Sequence, residues 1–322
     1  MGYGTTPLPH GKEVLVSGVA GRDSPRMKLF HSSVLRAAFT IALAVIVSGA
    51  SAEVAVKSGD KIAFLGDSIT EAGWRSTLGY VRLVIAGLEA NGVKAEPVPA
   101  GISGHKSDQM LARLEKDVLS KKPQWMTLSC GVNDVWHGKR GVPLDEAAAT
   151  TPGAYDENVA SRGTYKNNIT AIIEKAMAAG VKPVILTATV IQEKLDNQEN
   201  ARLAPYNDFL RSLAKEKHLP LADLNELFQE RIKKENKPGT KVLTGDGVHM
   251  NSEGDKLMAI GVLQAFGLDA AQIEKAKTAW APLEAQVAEE RKAAEARAAG
   301  AKAKAEAAGK AAGKQPAPTE SK

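Results

Sequence analysis

Residues 61–73 read KIAFLGDSITEAG, and this stretch decides the fold. Lys61 to Leu65 is a short run of mostly apolar residues that stops at Gly66-Asp67-Ser68. That is how a strand buried on both faces ends when the chain turns toward a helix. Further along, residues 95–99, 125–130, 184–189 and 219–223 read as strands in the same way. Between them, residues 80–91, 107–119, 164–179 and 200–217 carry apolar residues at three- and four-residue spacing, as in Ile169, Ile172, Ile173 and Ala176. Strands that alternate with helices of this length predict an α/β fold, a parallel sheet covered on both faces.

The polar residues fall at the strand ends. Gly66-Asp67-Ser68 follows the first strand, Gly101-Ile102-Ser103-Gly104 the second and Gly131-Val132-Asn133-Asp134 the third. In open α/β sheets the loops outside the carboxyl ends of the strands form the ligand crevice, so three separate segments converge on one place. A fourth, Asp246-Gly247-Val248-His249, precedes a helix that Ser252 and Asp255 are expected to cap.

The 322-residue chain is 43% hydrophobic, a globular composition, with 42 Lys and Arg against 37 Asp and Glu. Its charge of +5 sits at the ends. Residues 1–52 hold five basic against two acidic side chains, and residues 288–322 eight against five, which leaves the middle close to neutral and gives no warrant for a nucleic-acid groove. From Met27 a basic start, the apolar run 37–47 and the small residues Ala50 and Ala52 form the pattern of a secretory signal peptide, too short to span a membrane. The rival reading is an uncleaved anchor. The expected organisation is an upstream extension over 1–26, a signal peptide over 27–52, one domain over 53–287, and an Ala/Lys/Glu-rich tail over 288–322. The tail is expected to be solvated and partly helical, with adhesion to an anionic envelope polymer as its functional alternative. Cys130 has no partner in the chain, so an exported core holds without disulfides.

In order and spacing, the four segments resemble the blocks of the SGNH, or GDSL-type, esterase and lipase superfamily. GDSITEAG resembles the first block, GISGHKSD the second, GVND the third and DGVHMNSEG the last, so the likeness covers roughly residues 61–266. One departure is Pro99, where the family commonly has Asn. The resemblance implies a flavodoxin-like three-layer α/β/α sandwich with about five parallel strands. It also implies Ser68 as nucleophile, His249 as base, Asp246 as its partner, and an oxyanion hole of the Ser68 and Gly104 N–H groups with the Asn133 amide. Physical chemistry agrees: a serine hydroxyl attacks an ester only if a base takes its proton, and an imidazole titrates in the useful range.

Several neighbours stay open between function and structure. His105 and His137 either touch substrate or bond loop carbonyls, and Trp74 and Trp136 either stack on a sugar or pack in the core. Asp67 and Asp134 are expected to hold their own loops, and Cys130 to be buried packing. No metal or cofactor is expected. The long segment 137–163 is expected to be a substrate-side flap. The expected activity is an exported serine esterase removing short acyl, favourably acetyl, groups from carbohydrate. Lysophospholipid hydrolysis and an inactive carbohydrate-binding protein are the alternatives.

Overall fold

The computed structural model describes residues 54–235 and 239–312; the expected upstream extension and signal peptide lie outside them. Five strands, β1 (Lys61–Gly66), β2 (Glu96–Gly101), β3 (Trp125–Ser129), β4 (Lys182–Leu186) and β5 (Leu221–Ala222), form one sheet in the order β2-β1-β3-β4-β5. Every pairing is parallel. Ten α-helices accompany the strands among the described residues: α1 (Ser68–Arg75), α2 (Tyr80–Ala90), α3 (Ser107–Asp117), α4 (Val132–Trp136), α5 (Glu146–Ala149), α6 (Tyr165–Ala178), α7 (Gln198–Glu216), α8 (Leu224–Glu235), α9 (Ser252–Ala265) and α10 (Ala270–Ala312).

The strand order dictates the layers. A crossover between parallel strands is right-handed, so the step from β1 out to β2 puts α2 on one face, and the later steps in the other direction put α3, α6 and α7 on the opposite face. Accordingly α2 packs with α9 and α10, and α3 with α6 and α6 with α7. β1 and β3 are buried along nearly their whole length because helices cover both sides. The reversal of direction lies between β1 and β3, the point at which open α/β sheets place their ligand sites.

The strand ends differ from expectation for identifiable reasons. β4 starts at Lys182 and stops at Leu186 rather than running to Thr189, because the Asn207 amide takes over both backbone groups of Ala188, accepting from its N–H at 2.8 Å and donating to its carbonyl at 3.0 Å. β5 is cut to two residues. β2 tolerates Pro97 and Pro99 because it is an edge strand; two residues apart, they lose their N–H donors on the same, open side.

α9 is capped by Asn251, whose side chain accepts from the N–H groups of Glu253 and Gly254, and not by the expected Ser252 and Asp255. Asp255 instead reaches the start of α2, accepting from Tyr80 N–H at 2.9 Å. Buried there, it is pushed up to about 7. In the unfolded chain an aspartate gives up its proton near pH 3.9. Between about pH 4 and 7 the folded state therefore binds more protons, and stability falls as pH rises through that window. Asp255→Asn keeps the acceptor without the charge. It is expected to stabilise the fold at pH 8 by on the order of 1–4 kcal/mol and by nothing at pH 4, as thermal melts at the two pH values will show.

α10 carries the buried Ile273, Ala276 and Trp280, and Trp280 Nε1–H donates to Leu83 O at 2.9 Å. Val287 is the last of its residues packed on the core; from Ala288 to Lys302 the side chains are exposed, and the helix runs to Ala312. No helix among the described residues is long and apolar enough to cross a membrane.

Candidate active site

Ser68 is the first residue of α1, directly after the turn that ends β1, and it is half-buried. Asp67 caps that helix, its side chain accepting from Ile69 N–H at 2.9 Å. Ser68 is thereby left free to aim its side chain elsewhere. Its Oγ lies 2.9 Å from Nε2 of His249, and His249 Nδ1 lies 2.6 Å from Asp246 Oδ2. The other Asp246 oxygen accepts from the N–H groups of Val248 (2.9 Å) and His249 (2.8 Å), so the carboxylate folds its own turn while holding the ring. Partial burial pushes the Asp246 carboxyl up, but the hydrogen bonds from the His249 ring and the two backbone N–H groups together hold it well below the usual carboxylate range. The His249 and Asp246 side chains are 40% and 57% exposed, so the pair lies open to solvent. A hydroxyl facing one imidazole nitrogen, with a carboxylate on the other, can lose its proton as it attacks a carbonyl.

Two other segments arrive at the same place. Gly104 has φ +78°, the left-handed region that glycine enters without penalty, and a Cβ there would meet open space. Asn133, buried in α4, donates from Nδ2 to His105 O at 3.2 Å and, more weakly, to Asp67 Oδ2 at 3.4 Å. The expected set of Ser68, Asp246 and His249 is thus assembled, with the segments bearing Gly104 and Asn133 joined by the Asn133–His105 bond.

The buried acids behave differently from one another. Asp67 holds its own loop, as expected, and burial pushes it up to about 7. Asp134 does not. It accepts from Ser107 N–H at 3.0 Å and Ser107 Oγ at 2.6 Å, tying the third loop to the N-terminus of α3, where negative charge is favourable. Burial pushes it up to about 6. Cys130 is buried beneath it, its thiol pushed well up by burial. Trp74 packs partly buried against the core with Arg82 over its ring at 4.6 Å, whereas Trp136 is 42% exposed and stacks with His137. Among the described residues no cluster of His, Cys, Asp and Glu could hold a metal ion.

Three residues that sequence reasoning passed over hold the segments in place. Glu71 accepts from both N–H and Oγ–H of Ser103, supplying the loop support that Pro99 puts in doubt. Glu193 accepts from the N–H groups of Leu243 (2.8 Å) and Thr244 (2.7 Å) and from Thr244 Oγ at 2.7 Å, fixing the segment that leads to Asp246. Arg113 is buried next to Leu114 on the inner face of α3. An arginine inside an apolar helical pattern was the one available signal.

The segment 137–163 folds as two 3₁₀ turns and the short α5. Its Leu144, Ala148 and Tyr155 line a cavity of about 680 Å³ together with Arg202, Pro205 and Tyr206 of α7.

Residues 64–257 match the GDSL-like Lipase/Acylhydrolase family. The acetylxylan esterase of Geobacillus stearothermophilus is 26% identical over 235 residues, which span 66% of this chain and 97% of that protein. Among solved structures, the acetyl xylan esterase AlAXEase is 31% identical with a TM-score of 0.54, covering 64% of this chain and 98% of its own. The Geobacillus stearothermophilus acetylxylan esterase Axe2 shares the fold at 23% identity and a TM-score of 0.53, over 66% and 97% of the two chains. The family match spans more than half of the chain and the sheet is the five-stranded parallel one of that fold: the chain belongs to the GDSL-like lipase/acylhydrolase family of SGNH hydrolases and is a carboxylic ester hydrolase.

Proposed function

We propose that this protein is an exported esterase that removes acetyl groups from carbohydrate through an acyl-Ser68 intermediate. The observation that carries the reading is the pair of contacts on the His249 ring, Ser68 Oγ at 2.9 Å and Asp246 Oδ2 at 2.6 Å. His249 Nε2 takes the Ser68 proton as Oγ attacks the acetyl carbonyl. The negative charge on the carbonyl oxygen is met by the Ser68 N–H, which as the first in a helix has no partner within it, by the Gly104 N–H, and by Asn133. Asn133 gives up its long 3.4 Å contact with Asp67 to do so. The imidazolium then protonates the sugar oxygen as its bond to the acetyl carbon breaks, the sugar leaves as its free hydroxyl, and water activated by the same ring releases acetate from Ser68.

Carbohydrate is favoured over lipid by the open rim, by the exposed Trp136 one turn along α4 from Asn133, and by the acetylxylan esterases among the relatives. The segment 137–163 serves in this reading as the flap beside the substrate. The test is acetate release from acetylated xylan compared with fatty-acid release from a lysophospholipid. The polysaccharide is expected to win; preference for the lipid, or no activity on either, rejects the reading. Trp136→Ala should raise KM for an acetylated xylooligosaccharide about fivefold, the worth of one stacked ring, and leave p-nitrophenyl acetate hydrolysis unaffected.

A further inference from the structure

We infer that Arg113 is the positioning residue of the oxyanion donors: its guanidinium ties the strand end that carries Ser68 to the loop that carries Gly104, and it fixes His105 with a bare Nδ1. The inference rests on the acyl-serine reading only for what those donors do.

The guanidinium uses three of its edges in three directions. Nη2 donates to Gly66 O at 2.8 Å, two residues ahead of Ser68, and Nε donates to His105 Nδ1 at 3.1 Å, the residue after Gly104. Nη1 meets Asp117 at 3.1 Å, one turn along α3. Asn133 donates to the carbonyl of the same His105. Arg113 and His105 therefore link the segments that supply all three donors. A planar fork can do this and a lysine ammonium cannot span the same acceptors.

The contact also settles a proton. A guanidinium only donates, so His105 Nδ1 must accept, and the ring is neutral with its hydrogen on Nε2. The charged groups around the ring are Arg113, Asp108 and Asp117 from α3 and Lys106 from its own loop. Burial and then Arg113 draw its titration down, against the two acids. Arg113 in turn faces Asp67 and Cys130 as well as Asp117.

The experiment measures the full chain by kinetics on p-nitrophenyl acetate and by NMR titration of the histidine rings. Arg113→Met is expected to lower kcat about 10- to 100-fold, the cost of small misplacement at a reacting centre, with KM within about twofold. In the same variant the His105 titration should move up toward the ordinary value near 6.5. Arg113→Lys should fail to restore kcat. His105→Phe, which removes the acceptor but keeps a ring, should reproduce the loss, and His105→Gln, which offers an oxygen to Nε–H, should recover part of it. If Arg113→Met does not fold, the two His105 variants decide the matter. The inference is overturned if Arg113→Met or His105→Phe folds and keeps the parent kcat, or if the His105 titration is indifferent to Arg113. The titration needs no turnover, so it separates failure of this inference from failure of the acyl-serine reading, which Ser68→Ala tests alone.

Discussion

Ser68→Ala is expected to lower the turnover of p-nitrophenyl acetate by up to about 10⁶-fold while the protein melts at nearly the same temperature. Two features separate the chemical loss from a structural one. The side-chain cap of α1 is Asp67, so deleting the Ser68 hydroxyl removes no cap, and its Oγ bonds only the His249 ring. Losing one part-exposed hydroxyl and its single hydrogen bond moves stability by about 1 kcal/mol at most. What remains in the variant is the contribution of the oxyanion donors and of binding, roughly 10³ to 10⁴ over water in other triads. A burst of p-nitrophenol in the parent, absent in the variant, would mark the acyl-enzyme. Equal steady-state rates in the two proteins would reject catalysis by this hydroxyl.

The second large effect is expected from Asp246→Asn, a loss of about 10⁴ in kcat. The geometry dictates the direction. One Asp246 oxygen is engaged by the N–H groups of Val248 and His249, and these can only be met by an acceptor. In the amide the remaining oxygen must therefore stay on that side, and the NH₂ group is forced toward His249 Nδ1. Nδ1 then accepts, the ring proton moves to Nε2, and the imidazole presents a hydrogen to Ser68 where it should present a lone pair. The native carboxyl is held well below the usual carboxylate range, so this clamp on the ring persists on the acid side of the working pH. The check is kcat/KM for Asp246→Asn beside Asp246→Ala: the amide should be no better than the truncation despite keeping the turn. An amide variant with near-parent turnover would remove Asp246 from the reaction.

The strand-to-helix rhythm made the layers legible, because an apolar run ended by Gly-Asp-Ser has few other uses, and the resemblance of four ordered segments pointed to Ser68, Asp246 and His249. What stayed hidden depended on pairings between distant residues. The sequence pattern makes Asp255 a local cap for its own helix, yet it bonds Tyr80, 175 positions away. Asp134, placed in the sequence to hold its own loop, bonds Ser107 instead. Val184 to Thr189 reads as one run of mostly apolar and β-branched residues, but an asparagine from α7 occupies the backbone of Ala188 and ends the pairing early. Glu71 and Glu193 are ordinary surface-type residues in the sequence, and Arg113 is marked there only by its apolar neighbours; the fold alone shows which groups of the site their charges hold. Trp74 and Trp136 look alike in sequence, and burial alone separates them.

The two borders of the sheet have a consequence for behaviour in concentrated solution. One border is β2, with proline at two positions on its outer side, and the other is β5, only two residues long. Neither can template the addition of a further strand from another molecule. Native molecules should therefore not zip together edge to edge, and any fibrous or amorphous deposit has to begin from chains that have first opened. Loss of soluble protein on storage should then follow the unfolding rate rather than the concentration of intact enzyme.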